Sequence, residues 1–285
     1  MSKLINNHLI QACCEALRVS RSGYYAWKKR GSKSTDVDNA VRSCFEKHKA
    51  RAGAPKIHKE VQAQGLMISQ RTVGRKMAKL GLRPRYIKPF RYPKNKNQSR
   101  FIAENLLDRQ FCADAPNRKW VSDISYLRTT EGWLYLCVVI DLYSRAVIGW
   151  QLSESVDQHL VLDAIRAALL ARAYPKHVLF HSDQGSQYTC DSVQSILNQY
   201  QMTVSMSRRA NCWDNSVAES FFRNLKQETF YNQSIQNKQL TKRAVFEYIE
   251  CYYNTVRRHS AINYDSPRQF ELKYRYNQLS EVSTV

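Results

Sequence analysis

The segment WLYLCVVIDLYS at residues 133–144 decides the fold of this chain. A continuous apolar run of this length is typical of a central β-strand that is buried on both faces. The preceding segment, KWVSDISYL at 119–127, alternates between apolar and polar residues, and RAVIGWQL at 145–152 is a third strand-like segment. The tight connection at Tyr143–Ser144 predicts that these three strands form an antiparallel meander.

The pattern after the meander alternates between helices and strands. Apolar residues at helical spacing predict a helix at 157–172, and HVLFHSD at 177–183 predicts a fourth strand. A second helix, the strand TVSMS at 203–207, the loop RRANCWDN and a third helix follow. The order predicts an α/β fold with a five-stranded sheet of mixed direction and flanking helices. A further helix is predicted at 239–255, with a frayed polar tail after about residue 275.

Positive charge is concentrated in the first third of the chain. Residues 1–100 contain 24 lysines and arginines against five acidic residues, whereas the remainder contains 20 against 19. Such a distribution predicts a polyanionic partner that the first third binds. Solubility and non-specific nucleic-acid binding are the alternatives, and specific binding to DNA or RNA is favoured over both.

Residues 36–82 have the pattern of a helix-turn-helix-like, all-α DNA-binding region. In its last helix, Ser69 is the expected N-cap and Gly81 the expected end, with Val73 and Met77 facing inward. A second face of this helix is basic, as a recognition helix requires. A solvated basic helix face is the alternative. The candidate DNA-binding residues here are Arg71, Arg75, Lys76 and Lys79.

These patterns predict a division of the chain into five parts. They are an N-terminal helical segment at 1–35, the helix-turn-helix-like domain at 36–82, a basic linker at 83–115, a core with a C-terminal helical extension at 116–275, and a tail at 276–285.

The cysteines and the N-terminus predict where the protein resides. None of the eight cysteines has C-x-x-C spacing, and none pairs with a histidine at zinc-finger spacing. The first residues lack the apolar core of a signal peptide, and no segment is long enough to span a membrane. We therefore expect a reduced cytoplasmic protein without zinc and without membrane contact.

Three acidic residues are the candidate catalytic and metal-binding groups. Asp123 crosses the first strand, Asp183 ends the fourth, and Glu219 opens the helix after the fifth. Carboxylates that lie close together repel one another unless a cation lies among them. Oxygen ligands of this kind predict Mg²⁺ or Mn²⁺, and two such ions support in-line phosphoryl transfer.

Each acid also has a purely structural interpretation. Asp123 could be a polar residue on a half-exposed strand, and Asp183 could form a turn before Gly185. Glu219 could complete a capping box with Ser216. Each interpretation is plausible separately, but the joint placement of all three acids favours a metal site.

Basic residues on the helix of Glu219 are further candidates. Arg223 and Lys226 lie four and seven residues after Glu219, on the same helix face, where they could contact DNA phosphates. An ordinary ion pair between Glu219 and Arg223 is the alternative.

The segments WVSDISYL, HSDQGSQY and NSVAES…LKQE, with 35 residues between the second and third acids, resemble the retroviral-integrase-type catalytic core of bacterial insertion-sequence transposases. The resemblance is to the class whose second reading frame encodes this core. It extends to residues 36–82 and to YNTVRRHSAINYDSP at 253–267. It implies a ribonuclease H-like fold, a triad of Asp123, Asp183 and Glu219, and contact of Lys226 with the element's end.

The resemblance also implies an activity and its partners. The expected activity is strand cleavage at the element's ends, followed by attack of the freed 3′-hydroxyl on DNA. Expected partners are double-stranded DNA, further copies of the chain on that DNA, and the product of an upstream reading frame as a fusion, all at the bacterial nucleoid. The His/Cys zinc domain of retroviral integrases has no counterpart in this sequence. A DNA-binding regulator with an inactive core and a junction nuclease on the same fold are the competing hypotheses.

Overall fold

The chain forms two units in a computed structural model that describes residues 10, 14–16, 18–29, 35–85, 102–208, 211–231 and 236–282. The first unit comprises Met1–Lys49 and Gly53–Arg83, and the second comprises Ala50–Ala52 and Pro84–Val285. Of the N-terminal helical segment expected at 1–35, the first half lies mostly outside the described residues. The second half contains α1, Arg21–Lys29, where the Gly23 amide donates to Ser20 Oγ at 3.0 Å.

Three helices form the body of the first unit: α2 at Thr35–Lys47, α3 at Ala54–Ala63 and α4 at Gln70–Lys79. Ser69 caps α4 by accepting a hydrogen bond from the Thr72 amide. Gly81 ends it with a φ of +68°, and the Leu82 amide donates to the Met77 carbonyl at 2.8 Å. The helix therefore begins and ends as its sequence predicts. The buried side chains between the helices include Val41, Cys44, Phe45, Ile57, Val61, Val73 and Met77.

The second unit contains the predicted mixed sheet. Its strands are β1 at Lys119–Thr129, β2 at Gly132–Asp141, β3 at Val147–Ser153, β4 at Leu179–Ser182 and β5 at Thr203–Met206. The spatial order is β3-β2-β1-β4-β5. The first three strands pair antiparallel, while β4 pairs parallel with both β1 and β5. This arrangement confirms the predicted ribonuclease H-like fold class.

Apolar layers cover both faces of the sheet. Leu136, Val138 and Ile140 of β2 belong to one buried cluster, and Cys137 and Val139 belong to the other. β2 is thus buried on both faces, as its continuous apolar run predicts, although it is the second strand from the edge and β1 is the central one. The helices of this unit are α5 at Gln158–Ala171, α6 at Asp191–Gln199, α7 at Ser216–Leu225, α8 at Lys238–Phe246 and α9 at Pro267–Val282.

Two helical regions differ from the expected pattern. π-helical segments continue α7 over Lys226–Phe230 and α8 over Glu247–Tyr253, so neither helix is regular to its end. The C-terminal helix α9 extends to Val282, so residues 276–282 are helical where a frayed tail is expected. The described portions of the expected linker, 83–85 and 102–115, contain no helix or strand.

Candidate active site

Strand register places Asp123 and Asp183 next to each other. β1 and β4 are parallel neighbours, and Val121 pairs with His181. Each aspartate lies two residues beyond that pair: Asp123 is within β1, and Asp183 directly follows β4. Neighbouring strands lie about 4.8 Å apart, so the two carboxyl groups emerge side by side.

The surroundings of Asp123 disfavour its charged form. Burial raises the pKa of the half-buried Asp123 carboxyl well above its usual value, and the charge of Asp183 raises it further. The Ile124 amide donates to Asp123 Oδ1 at 2.8 Å, which partly offsets the rise. The charge of Glu219 adds a smaller increase in the pKa of Asp123. A cation at this position would relieve both the repulsion and the loss of solvation.

The side chain of Asp183 forms a turn with Gly185, as the structural interpretation of this residue predicts. Its Oδ1 accepts a hydrogen bond from the Gly185 amide at 3.0 Å. The residue as a whole is exposed, yet the protein around its carboxyl group removes enough solvent to raise the pKa of Asp183. The turn therefore fixes the carboxylate at the open end of the sheet.

Glu219 is exposed on the first turn of α7. The N-cap of this helix is Asn215, with no side-chain capping bond, so the capping box with Ser216 is wrong. Arg223 donates to Ser220 Oγ at 3.4 Å instead of forming an ion pair with Glu219. Although the residue is exposed, the protein around its carboxyl group removes part of the solvent and so raises the pKa of Glu219. The charge of Arg223 partly offsets that rise. Neither structural interpretation explains this glutamate.

The three acids do not form a finished metal cage. No three histidine, cysteine, aspartate or glutamate side chains in the described part of the chain are grouped closely enough to hold a metal ion. The structure pairs Asp123 with Asp183 and places Glu219 within electrostatic range of Asp123. Carboxylate oxygens are the donors that hard divalent cations prefer. Without a cation, the charge of Asp183 makes ionisation of Asp123 less favourable.

Asn215 is a site residue that the sequence pattern does not single out. Its Nδ2 donates to the Ser122 carbonyl at 3.0 Å, and the side chain is buried. This bond ties the start of α7, which carries Glu219, to the residue before Asp123. Behind β1, the Tyr188 hydroxyl lies 2.8 Å from Ser122 Oγ, also in the buried interior. Only the preference of asparagine for helix N-caps hints at this position in the sequence.

The candidate DNA-binding residues on α7 and beyond it differ in exposure. Arg223 is exposed, whereas Lys226 is partly buried at the start of the π-helical segment. Burial lowers the pKa of Lys226 to about 8. A phosphate beside this amine would favour its charged form.

The basic face of α4 is made by three residues. Arg71, Arg75 and Lys79 are exposed. Lys76 is different: its Nζ lies 2.8 Å from Asp38 Oδ1 on α2, and both side chains are mostly buried. Lys76 therefore joins two helices of its own unit, and the open cationic face consists of the other three side chains.

Neutralising Asp123 is expected to stabilise the metal-free protein at pH 8. The folded-state pKa of Asp123 is raised, so the folded protein loses stability as the pH rises from about 4 through that pKa. Asp123→Asn removes this cost, and we expect its melting temperature to rise by about 2–4 °C per kcal/mol of repulsion removed. Magnesium should raise the melting temperature of the unaltered protein but not of Asp123→Asn. Thermal unfolding at pH 5 and pH 8, with and without Mg²⁺, tests this; a lower melting temperature for the variant at pH 8 would contradict it.

Comparison with known families agrees with this fold. The integrase core domain model matches residues 113–212, a second integrase core domain model matches 200–267, and an HTH-like domain model matches 34–90. The fold and these matches define an integrase-core protein that carries a helix-turn-helix-like region.

Curated relatives match over nearly the whole chain. Transposase InsF for insertion sequence IS3A of Escherichia coli (strain K12) is 41% identical over 271 residues, which cover 93% of this chain and 94% of the relative. The transposase for insertion sequence element IS904 of Lactococcus lactis subsp. lactis (strain IL1403) is 38% identical over 238 residues, covering 82% and 93%. The chain belongs to this family of insertion-sequence transposases, and DNA transposition by a polynucleotidyl transferase is its function. The resemblance seen in the sequence is thereby confirmed.

Solved structures with weaker similarity include two related catalytic domains. The HTLV-2 integrase catalytic core domain in complex with magnesium is 16% identical, covers 54% of this chain and 96% of that one, and has a TM-score of 0.41. The catalytic domain of Mos1 mariner transposase is 18% identical, covers 48% of this chain and 71% of that one, and also has a TM-score of 0.41.

Among the described residues, no helix is long and apolar enough to cross a membrane.

Proposed function

We propose that this protein binds the ends of its insertion sequence, cleaves DNA there and joins the 3′ ends to target DNA. The reaction takes place at Asp123, Asp183 and Glu219. The observation that carries this proposal is the placement of Asp123, within β1, beside Asp183, which directly follows the parallel neighbour β4, so that the charge of Asp183 raises the pKa of Asp123. This is a site for metal-dependent phosphoryl transfer.

The three carboxylates would hold two Mg²⁺ or Mn²⁺ ions. All the donors are carboxylate oxygens, and the raised pKa values of Asp123 and Asp183 reflect surroundings that a divalent cation would stabilise. Bound there, such ions would activate the attacking hydroxyl and stabilise the leaving 3′-oxygen. Glu219 is exposed at the start of its helix, so its side chain is free to turn toward the pair.

The protein positions these groups through its own hydrogen bonds. The Gly185 amide fixes the orientation of Asp183, and Asn215 holds the first turn of α7 against β1. Arg223 and Lys226 follow Glu219 on the same helix and its π-helical continuation, where they would contact phosphates of the bound strand. Binding and orienting the DNA is thus the task of the chain's cationic side chains.

The first unit supplies the sequence-reading contacts in this proposal. The face formed by Arg71, Arg75 and Lys79 enters a DNA groove, while Lys76 stays paired with Asp38. Joining requires two element ends at once, so at least two copies of the chain act together on DNA. A fused product of the upstream reading frame contributes further DNA binding.

A strand-joining assay tests the proposed function. Purified protein is mixed with a labelled duplex carrying the element's terminal sequence, target DNA and Mg²⁺ or Mn²⁺. Joined product is expected, and Glu219→Gln should abolish it. Glu46→Gln, an exposed glutamate of α2, is the matched control and should leave the product unchanged. Cleavage without joining would favour a junction nuclease. Binding without either reaction, repeated with the upstream-frame fusion, would favour a regulator with an inactive core.

Arg75→Ala is expected to weaken DNA binding about 10-fold at low salt. An exposed arginine that contacts a phosphate releases about one counterion, so the slope of log K against log salt should fall by about one. Binding isotherms from 50 to 300 mM salt measure both quantities. Arg166→Ala, which removes an exposed arginine from α5, is the control. An unchanged slope in Arg75→Ala would place the DNA contact on another segment.

A further inference from the structure

Trp213 presents an indole ring to solvent from the turn that precedes the helix of Glu219. It lies in the short 3₁₀ turn Cys212–Asn215, between β5 and α7, and 69% of its surface is exposed. An exposed tryptophan leaves a large apolar surface in water, which is costly unless a partner covers it. Its neighbours in the turn, Asp214 and Asn215, are buried. The turn therefore directs one large side chain outward while anchoring the next two inward.

Several charged hydrogen bonds hold the turn in a single conformation. The fully buried Asp214 carboxylate accepts from Arg109 Nε at 2.9 Å and from Arg208 Nε and NH2, both at 2.9 Å. The Arg208 amide donates to the same carboxylate at 3.1 Å. Asn211 Oδ1 accepts from the Trp213 amide at 3.2 Å. Hydrogen bonds from these arginines hold the pKa of Asp214 far below its usual value, so its carboxylate is ionised at neutral pH.

The same turn connects the two halves of the acid site. Asn215 bonds to the Ser122 carbonyl, one residue before Asp123, and Glu219 follows four residues later. Trp213 is therefore two residues from a side chain that is bonded to the strand of Asp123, in the turn that leads to Glu219. Fixed aromatic rings bind bases by stacking, with little dependence on base identity.

We propose that Trp213 stacks on an unpaired base of the DNA end and thereby holds the strand in position for cleavage. This inference rests on the proposed function. If the base next to the cleaved phosphodiester leaves the duplex, it loses its stacking partners, and the exposed indole of Trp213 offers it a new stacking surface. Trp213 is in this view a DNA-contacting residue that positions the substrate, with no part in metal binding.

Photo-crosslinking with three variants tests this contact. A duplex with the element's terminal sequence carries 5-iododeoxyuridine at one of its last few positions on either strand, position by position. Crosslinks are formed in the uncleaving Asp183→Asn background, and the attached residue is identified by mass spectrometry. We expect a crosslink to Trp213 at one or two DNA positions. The yield of crosslinked protein at those positions should be at least 10-fold lower with Trp213→Ala and should be retained in part with Trp213→Phe. The control is Trp133→Ala, which removes a tryptophan that is 46% exposed at the β1–β2 hairpin.

Cleavage rates in the protein with Asp183 intact give the second measurement. Trp213→Ala should reduce cleavage about 10-fold, Trp213→Phe less than three-fold, and Trp133→Ala not measurably. Normal crosslinking and cleavage by Trp213→Ala would overturn the stacking role while the proposed function stands. A Trp213-dependent crosslink in a protein that never cleaves would instead support the stacking role and count against the proposed function. Loss of self-association by Trp213→Ala with its cleavage unchanged, or no crosslink to Trp213 at any position, would also overturn the inference.

Discussion

Replacing Asp183 with asparagine is expected to reduce DNA cleavage and joining by about 1,000-fold or more, which corresponds to about 4 kcal/mol in the activation barrier. Asparagine keeps the shape of the side chain, and its Oδ1 can still accept the hydrogen bond that the Gly185 amide now donates to Asp183. The turn should therefore survive, while the negative charge needed to hold a divalent cation is lost. Binding of the duplex end should change by less than about two-fold.

Three measurements on the same protein preparation separate the roles of Asp183. Gel-based cleavage and joining report the reaction, fluorescence anisotropy reports end binding, and calorimetric titration with Mn²⁺ reports metal binding without any reaction. Asp163→Asn is the control, because it removes an exposed aspartate whose ion pair is with Arg166 on the same helix. If Asp183→Asn lost end binding as fully as cleavage, the residue would be a structural turn former and not a metal ligand.

The sheet could be predicted from the sequence because its signals are local. The interior strand β2 is almost entirely apolar because both of its faces are covered, and β1 alternates as it approaches the end of the hairpin. The sequence also identified Asp123 and Asp183 as candidates, because Asp123 lies within one predicted strand and Asp183 ends another. Their adjacency, however, depends on β1 and β4 being parallel neighbours, which no local pattern determines.

The remaining differences come from long-range contacts. Lys76 falls on the basic side of α4 in any helical projection, yet Asp38 of α2 pairs with it. In the sequence Asn215 is one residue of a loop, and only the structure shows its bond to Ser122. The π-helical segments require a shift in backbone hydrogen bonding that side-chain periodicity does not reveal. The roles of Lys76 and Asn215 therefore depend on partners far away in the sequence, whereas the π-helical segments depend on local backbone hydrogen bonds.

Glu228 is the clearest residue of this kind, and its replacement is expected to have the largest effect on stability. It lies in the π-helical segment after α7, is 6% exposed, and receives three hydrogen bonds from Arg257 at 2.8–3.1 Å. The Tyr248 hydroxyl donates a further bond at 3.0 Å. Glu228→Gln leaves the Arg257 guanidinium buried without its counter-charge, so we expect the free energy of unfolding to fall by about 3–5 kcal/mol. The melting temperature should fall by roughly 10 °C.

Urea unfolding followed by circular dichroism measures this change, with Glu46→Gln as an exposed control expected within about 0.5 kcal/mol of the unaltered protein. Because an apolar pair can replace a buried ion pair without loss, the double variant Glu228→Leu, Arg257→Met should recover most of the stability. A loss below about 1 kcal/mol in Glu228→Gln would mean that Arg257 finds another partner or water.

Glu228 lies only nine residues after Glu219, so cleavage must also be measured at a temperature at which the variant is fully folded. Cleavage retained there would assign Glu228 to the scaffold that supports α7, whereas cleavage lost there would mean that the ion pair also determines where Glu219 lies.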